Sequence, residues 1–119
     1  MTMSKTFIKD LFEPWFTLTK LGTKKTCGYI NRNGDLDGIK KGDLICLDND
    51  EFGFLRSISV KVIAITFHSC FHDYLRCYGL QNCLPGMTSI NEGVSVYREF
   101  YSVETEQKHG VMAIQFELI

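Results

Sequence analysis

Paired cysteines, long apolar runs and a surplus of charge of either sign are missing from this 119-residue sequence, and each shortage closes off a class of protein. The five cysteines, Cys27, Cys46, Cys70, Cys77 and Cys83, are odd in number and form no Cys-x-x-Cys pair. A disulfide framework is therefore not expected, and the thiols read as reduced, many of them buried. The nearest approach to a metal cluster is His68-x-Cys70-x-His72 with Cys77 beyond. It fits no standard zinc spacing and reads as two surface imidazoles around a core thiol, so neither metal nor cofactor is expected. No window reaches the roughly 18 consecutive apolar residues of a membrane span. The opening Met1-Thr2-Met3-Ser4-Lys5-Thr6 lacks the charged head and apolar run of a signal peptide. The expectation is an intracellular protein, cytoplasmic or nuclear, without a membrane partner. A net charge of −1 argues against strong nonspecific binding to nucleic acid.

What is present is material for one core. Hydrophobic residues make up 45% of the chain, with nine Phe and five Tyr, which argues for a globular protein rather than a disordered one. No linker, repeat or low-complexity tract divides it, so residues 1–119 read as a single domain. Charge is unevenly spread. Residues 20–41 carry Lys20, Lys24, Lys25, Arg32, Lys40 and Lys41 against Asp35 and Asp37, whereas residues 62–119 are net acidic by three. The basic segment is either a face for a few phosphates or a solvated lysine-rich edge.

Periodicity gives an order of elements. Thr6 to Phe12 suits a first strand, with Phe7 and Leu11 on one face. Pro14 fits the first position of a helix whose stripe is Trp15, Leu18 and Leu21, stopped by Gly22. Lys24 to Ile30 reads as strand, Asn31 to Gly38 as loop, and Leu44 to Leu47 as a short strand leading into a hairpin at Asp48-Asn49-Asp50. Phe54 to Phe67 is a long strand with Ile58, Val60, Val62 and Ala64 on one face; its end is apolar on both faces, as under a covering helix. Ser69 is placed to cap a helix ending at Gly79. Ser89-Ile90-Asn91-Glu92 is a capping box, with Val94, Tyr97 and Tyr101 at helical spacing behind it. Ser102 caps a further short helix closed by Gly110, and Val111 to Ile119 is a last strand with Met112, Ile114, Phe116 and Leu118 on one face. The class is α+β, and closing the sheet into a barrel would remove its exposed edges.

The stretch Gly22-Thr23-Lys24-Lys25-Thr26-Cys27-Gly28-Tyr29 resembles the entry motif of the ASCH family, Gly-x-Lys-x-x-Glu-x-Arg. Gly22 and Lys24 match; Cys27 stands at the Glu position and Tyr29 at the Arg position. Glu13-Pro14-Trp15, the turn Ile39-Lys40-Lys41-Gly42-Asp43-Leu44-Ile45, Leu84-Pro85-Gly86, Tyr97 to Ser102 and Gly110 to Ile114 extend the likeness over nearly the whole chain. The resemblance implies a PUA-like β-barrel of about five to six strands with flanking helices, and a cleft between the first helix and the motif strand. It further implies RNA or nucleotides as partners, in RNA processing or transcription regulation. Some branches are amidohydrolases acting on acetylated cytidine and some are ribonucleases. In the amidohydrolase branch the motif supplies a Lys, here Lys24, and a nucleophilic Thr, at whose position Cys27 stands.

The residues themselves leave alternatives. A thiolate is a nucleophile and a neighbouring ammonium favours it, so Lys24 could activate Cys27 against an amide carbonyl. Residues three apart on a strand face opposite sides, so Lys24 must sit in the turn after Gly22 to reach the thiol. Otherwise Cys27 is a small apolar filler of the barrel. Tyr29 exchanges bidentate charge recognition for a face on which a base can stack. Trp15 offers another face, or is core. Lys25 is a phosphate contact or an edge lysine. Arg98 and Tyr101 flank the same groove, or Arg98 pairs with Glu99 or Glu92 and Tyr101 is core. The leading expectation is a nonenzymatic RNA- or nucleotide-binding module with Lys24, Lys25, Tyr29 and Arg98 lining the cleft beside Trp15 and Tyr101. An amidohydrolase on a modified nucleoside such as N4-acetylcytidine, using Lys24 and Cys27, is the second class, with a ribonuclease behind it. A protein-interaction module without nucleic-acid binding is the third.

Overall fold

The computed structural model describes residues 4–32 and 34–119. Met1 to Met3, from the signal-peptide reading, and Asn33, from the loop expected over 31–38, lie outside the described residues. The chain begins with β1 (Thr6–Asp10) and α1 (Trp15–Lys20). Gly22 follows at φ 81°, the left-handed conformation that stops a helix without a Cβ penalty. The stripe expected on α1 is not the buried one: Phe16 and Thr19 face inward, and Leu21 is 70% exposed. Thr19 tolerates burial because its hydroxyl donates to the Trp15 carbonyl at 2.8 Å. Six residues are too few for a helical period to assert itself.

β2 (Thr26–Ile30) precedes a hairpin of β3 (Leu44–Asn49) and β4 (Arg56–His68). β3 runs beyond the expected Leu47 because Asn49 is buried and anchored, its amide donating to the Leu11 carbonyl at 3.0 Å and to the Glu51 carboxylate at 2.6 Å. β4 slips register between Val62 and Ala64. Such a bulge bends a strand and re-aims its side chains, so the expected inner face holds only as far as Val62. Beyond it Ile65 packs on the inner core, while Phe67 is 64% exposed rather than covered by a helix.

Cys70, not Ser69, is the N-cap of α2 (Phe71–Tyr78); Ser69 Oγ instead donates to the Asp73 carboxylate at 2.7 Å. Past Gly79 comes a short α3 (Leu80–Cys83) that no periodic signal announced. At α4 (Ile90–Arg98) Ser89 Oγ accepts the Glu92 N–H at 3.1 Å, but the Glu92 carboxylate accepts from Thr88 Oγ1 at 2.6 Å, so half of the capping box forms. Ser102 caps α5 (Val103–His109), Gly110 closes it, and β5 (Val111–Leu118) returns to the sheet. Among the described residues no helix is long and apolar enough to cross a membrane.

The strands form one sheet in the order β1-β3-β4-β5-β2, with β1–β3 parallel and the other pairs antiparallel. β4 pairs with β3 through Arg56–Lys61 and with β5 through Val60–His68, so the sheet curls around its own middle. The result is an α+β half-barrel of five strands, open between β1 and β2 where a closed or nearly closed barrel was expected. Inside the curl pack Ile45, Leu47, Val60, Val62, Ile114 and Phe116. Outside it, under the helices, pack Phe71, Tyr74, Leu75, Tyr97, Val111 and Ala113. β5 is thus buried on both faces, and Leu118, expected on the inner face, is half-exposed at the sheet's end.

Close approach of the helical layer depends on Gly28. A Cβ there would meet the Tyr74 ring at 2.6 Å, and Tyr74 cannot easily retreat because its hydroxyl shares a 2.7 Å hydrogen bond with Thr26 Oγ1. Gly28→Ala is therefore expected to cost about 1–3 kcal/mol of stability, seen as a lower urea midpoint at unchanged slope; a wild-type midpoint would refute the close approach.

Asp43 gives a second expectation. Burial alone would raise its pKa, but the Lys5 and Lys40 N–H groups, each at 3.0 Å, and the Lys40 ammonium at 3.6 Å outweigh burial and hold the carboxyl below its ordinary value. A carboxyl depressed in the fold contributes stability above the unfolded value of roughly 3.9, lost as pH falls through the folded value. Stability below about pH 4 should accordingly fall less steeply with pH in Asp43→Asn than in the wild type.

Candidate functional site

Where β1 and β2 fail to pair, a cleft of about 360 Å³ opens. Its size is that of a small-ligand site. β1 and the chain after it contribute Lys9, Asp10, Phe12 and Trp15; β2 and its approach contribute Lys24, Cys27, Gly28 and Tyr29. Asp35 comes from the loop after β2, and Leu84, Tyr97, Phe100 and Tyr101 come from the helical layer. Six of these side chains are aromatic: Phe12, Trp15, Tyr29, Tyr97, Phe100 and Tyr101. Phe12 stacks on Phe100 across the opening, ring centroids 5.9 Å apart and planes 7° from parallel. Tyr97 is held from behind by Phe71, stacked at 4.1 Å.

Lys24 reaches the cleft by the turn that Gly22 allows. The N–H groups of Thr23 and Lys24 both return to the Leu18 carbonyl, at 3.0 and 3.1 Å, so Lys24 precedes the regular strand and its side chain runs inward. It is 3% exposed. Its ammonium donates to the Thr26 carbonyl at 2.6 Å and to the Cys83 carbonyl at the end of α3. Among the described residues no carboxylate lies within ion-pair distance of it. A buried ammonium normally needs a carboxylate or a full set of acceptors. Two carbonyls leave one of its three donor positions for another acceptor.

Cys27 and Tyr29 project from the same face of β2 into the inner core and the cleft. Burial, reinforced by the adjacent Cys27 thiol, pushes the Tyr29 phenol well above its ordinary value. Burial does the same to Tyr74 and Tyr97. A neutral phenol of this kind donates one hydrogen bond and presents an uncharged ring.

Of the residues anticipated from sequence, Trp15, Lys24, Cys27, Tyr29 and Tyr101 meet in the cleft. Lys25 and Arg98 are not among its lining residues. Lys25 is exposed, its N–H donating to the Asn82 carbonyl at 2.8 Å. Arg98 pairs with neither Glu99 nor Glu92 but with the buried Glu106 at 2.7 Å. The other Glu106 oxygen accepts the Phe71 N–H at 2.8 Å, tying α5 to the start of α2. His68 and His109 also lie outside the lining residues; His68 Nε2 is 2.9 Å from Thr66 Oγ1. No group of three or more His, Cys, Asp or Glu is placed to hold a metal ion among the described residues.

Sequence reading missed Lys9, Phe12, Tyr97 and Phe100 as site residues. For Lys9 a signal existed: it falls between Phe7 and Leu11 on the inward face of β1, where an apolar residue belongs. Its ammonium lies 5.3 Å from the centroid of the Tyr29 ring and 3.3 Å from the Asp35 carboxylate.

No family model and no curated protein matches the chain. Solved structures do match. The crystal structure of hypothetical protein PH0355 is 41% identical, covers 97% of this chain and 99% of its own, and superimposes with a TM-score of 0.82. The solution NMR structure of protein PF0455 from Pyrococcus furiosus is 38% identical, covers 96% and 97%, and gives 0.75. With that identity over essentially full lengths, the chain belongs to the same family as these two proteins, and the half-barrel with its helical layer is the family's fold.

Alkaline titration checks the buried phenols. Phenols raised in the fold contribute stability that is full below the unfolded value of about 10 and is lost as pH rises through the folded values. Tyr74 and Tyr97, both buried, should therefore ionise at distinctly higher pH than an exposed phenol, followed by ultraviolet titration. A single phase near the ordinary value, with the fold intact, would contradict their burial.

Proposed function

We propose that this protein is an ASCH-like module that binds a nucleobase, carried by a nucleoside, a nucleotide or a single RNA residue, in the cleft between β1 and β2. The observation that carries the reading is the ring of aromatic side chains around a space of about 360 Å³, with the partly unsatisfied Lys24 ammonium among them. A purine or pyrimidine is planar, stacks on aromatic faces for about 1–3 kcal/mol, and offers carbonyl or ring-nitrogen acceptors to an ammonium. Lys25 and Arg98 lie apart from the cleft, which favours one base over a length of phosphate backbone. A role in RNA processing or transcription regulation belongs to the same proposal and rests on the motif resemblance at Gly22, Lys24, Gly42 and Asp43.

A second reading, hydrolysis of an acylated nucleoside such as N4-acetylcytidine, is favoured by one observation: Lys24 and Cys27 line the same cleft. It ranks second because no histidine lines the cleft to take the thiol proton and the Lys24 ammonium is already committed to two carbonyls. If it held, Cys27→Ser would abolish release of acetate from N4-acetylcytidine; no release by the wild type ends it.

Titration calorimetry with cytidine, uridine, adenosine and guanosine tests the leading reading. At least one should bind, Tyr29→Ala should weaken it roughly tenfold or more, and Lys25→Ala should leave its affinity unchanged. Failure of all four nucleosides and of short single-stranded RNA to bind would overturn it.

A further inference from the structure

The two edges of the half-barrel are not joined by backbone hydrogen bonds, and a charged side chain spans the gap instead. Lys9 starts on the inward face of β1 and passes over the ring of Tyr29 on β2, 5.3 Å from its centroid. It ends on Asp35, in the loop that follows β2, at 3.3 Å. Neighbouring Leu36 is buried in the inner core and anchors that loop, so Asp35 is offered from a fixed base although its own carboxylate is 72% exposed. The Lys9 side chain itself is only 24% exposed. It lies against the inner wall rather than extending into solvent, as lysines on sheet edges ordinarily do.

From this placement we propose that Lys9 is the gate residue of the cleft: clasped by Asp35, it covers the Tyr29 face and restricts access to Cys27 and Lys24 behind it. The gating itself stands on geometry; its use, admission of a base that takes over the Tyr29 face as Lys9 withdraws, rests on the proposed function. The energetics suit a gate. An ion pair whose carboxylate is solvent-exposed is worth little and is screened by salt. An ammonium over a phenol face at an open site adds a comparably small term. Neither contact locks the seam, and their loss exposes no unpaired buried charge, because Lys9 has four methylene groups of reach to solvent. Lys24 differs in every respect, being fully enclosed and held by backbone carbonyls. The two lysines of the cleft thus divide their work, Lys24 fixed within it and Lys9 movable across its mouth.

Cys27 reports on the gate without any ligand. It lines the cleft and is 5% exposed, while Cys83 is fully enclosed under the helices and serves as an internal control for global unfolding. The folded protein is treated with iodoacetamide, and labelling of each cysteine is followed by peptide mass spectrometry in the wild type, Lys9→Ala and Asp35→Asn. Cys27 labelling should rise about two- to fivefold in Asp35→Asn, the range expected for loss of one exposed ion pair. It should rise further in Lys9→Ala, with Cys83 unchanged in both. High salt should bring the wild type toward Asp35→Asn and leave Asp35→Asn itself unmoved. Equal Cys27 labelling in all three proteins overturns the gate, as does a rise that Cys83 shares, because the substitutions would then be loosening the fold. A working gate in a protein that binds no nucleoside would remove the functional reading and keep the gate.

Discussion

A row of backbone groups with no partner strand decides the character of this molecule. The sheet begins at β1 and ends at β2, and its curl brings these ends toward each other without letting them pair. Burying unpaired amides and carbonyls is costly, so the ends must stay apart, reach water, or be bridged by side chains. Here Lys9 of β1 reaches over Tyr29 of β2, while the Phe12–Phe100 stack ties the chain after β1 to the helical layer. A closed barrel would fill its interior with packed residues. This one keeps a recess at the seam, lined by aromatic rings.

The outer layer follows from the same arrangement. β5 lies between β4 and β2 and is covered by core on both faces, so the sheet is braced from inside by Ile114 and Phe116 and from outside by Val111 and Ala113. Tyr97 belongs to both regions, packed on Phe71 in the helical layer and facing the recess. The Arg98–Glu106–Phe71 linkage fixes the orientation of the helices that present it. Arg98 therefore acts one layer behind the site and sets the position of a cleft residue without touching the cleft.

What the sequence revealed and what it hid divide along sequence separation. Gly22, Gly79, Gly110, Ser89 and Ser102 announced helix ends correctly because capping is settled within four or five residues. The long alternation from Ile58 to Val62 was equally plain, and it failed only where one extra residue shifts the pleat. The site was legible in part. Lys24, Cys27 and Tyr29, singled out together from the sequence, line the recess with Trp15 and Tyr101. The other contacts are set by distant neighbours: Lys9 meets Asp35 twenty-six positions on, and Lys24 meets the Cys83 carbonyl fifty-nine positions on. Helical spacing suggested that Arg98 faces Tyr101's groove, but no local rule could reveal that a buried carboxylate from the next helix claims it. The basic segment, read as either a phosphate face or a solvated lysine-rich edge, sends Lys24 into the recess and leaves Lys20 and Lys25 at the surface.

The pairing of β2 with β5 has a consequence for how the molecule folds. Thr26 finds its partner at Gln115 and Ile30 finds Val111, so one wall of the recess depends on a pairing between segments far apart in the sequence. Without β5 the chain can form the β3–β4 hairpin, but β2 has no strand beside it. Strand pairings spanning most of a chain are slow to form, because loop-closure entropy must be met before the contacts repay it. The recess therefore exists only once β5 has taken its place between β4 and β2.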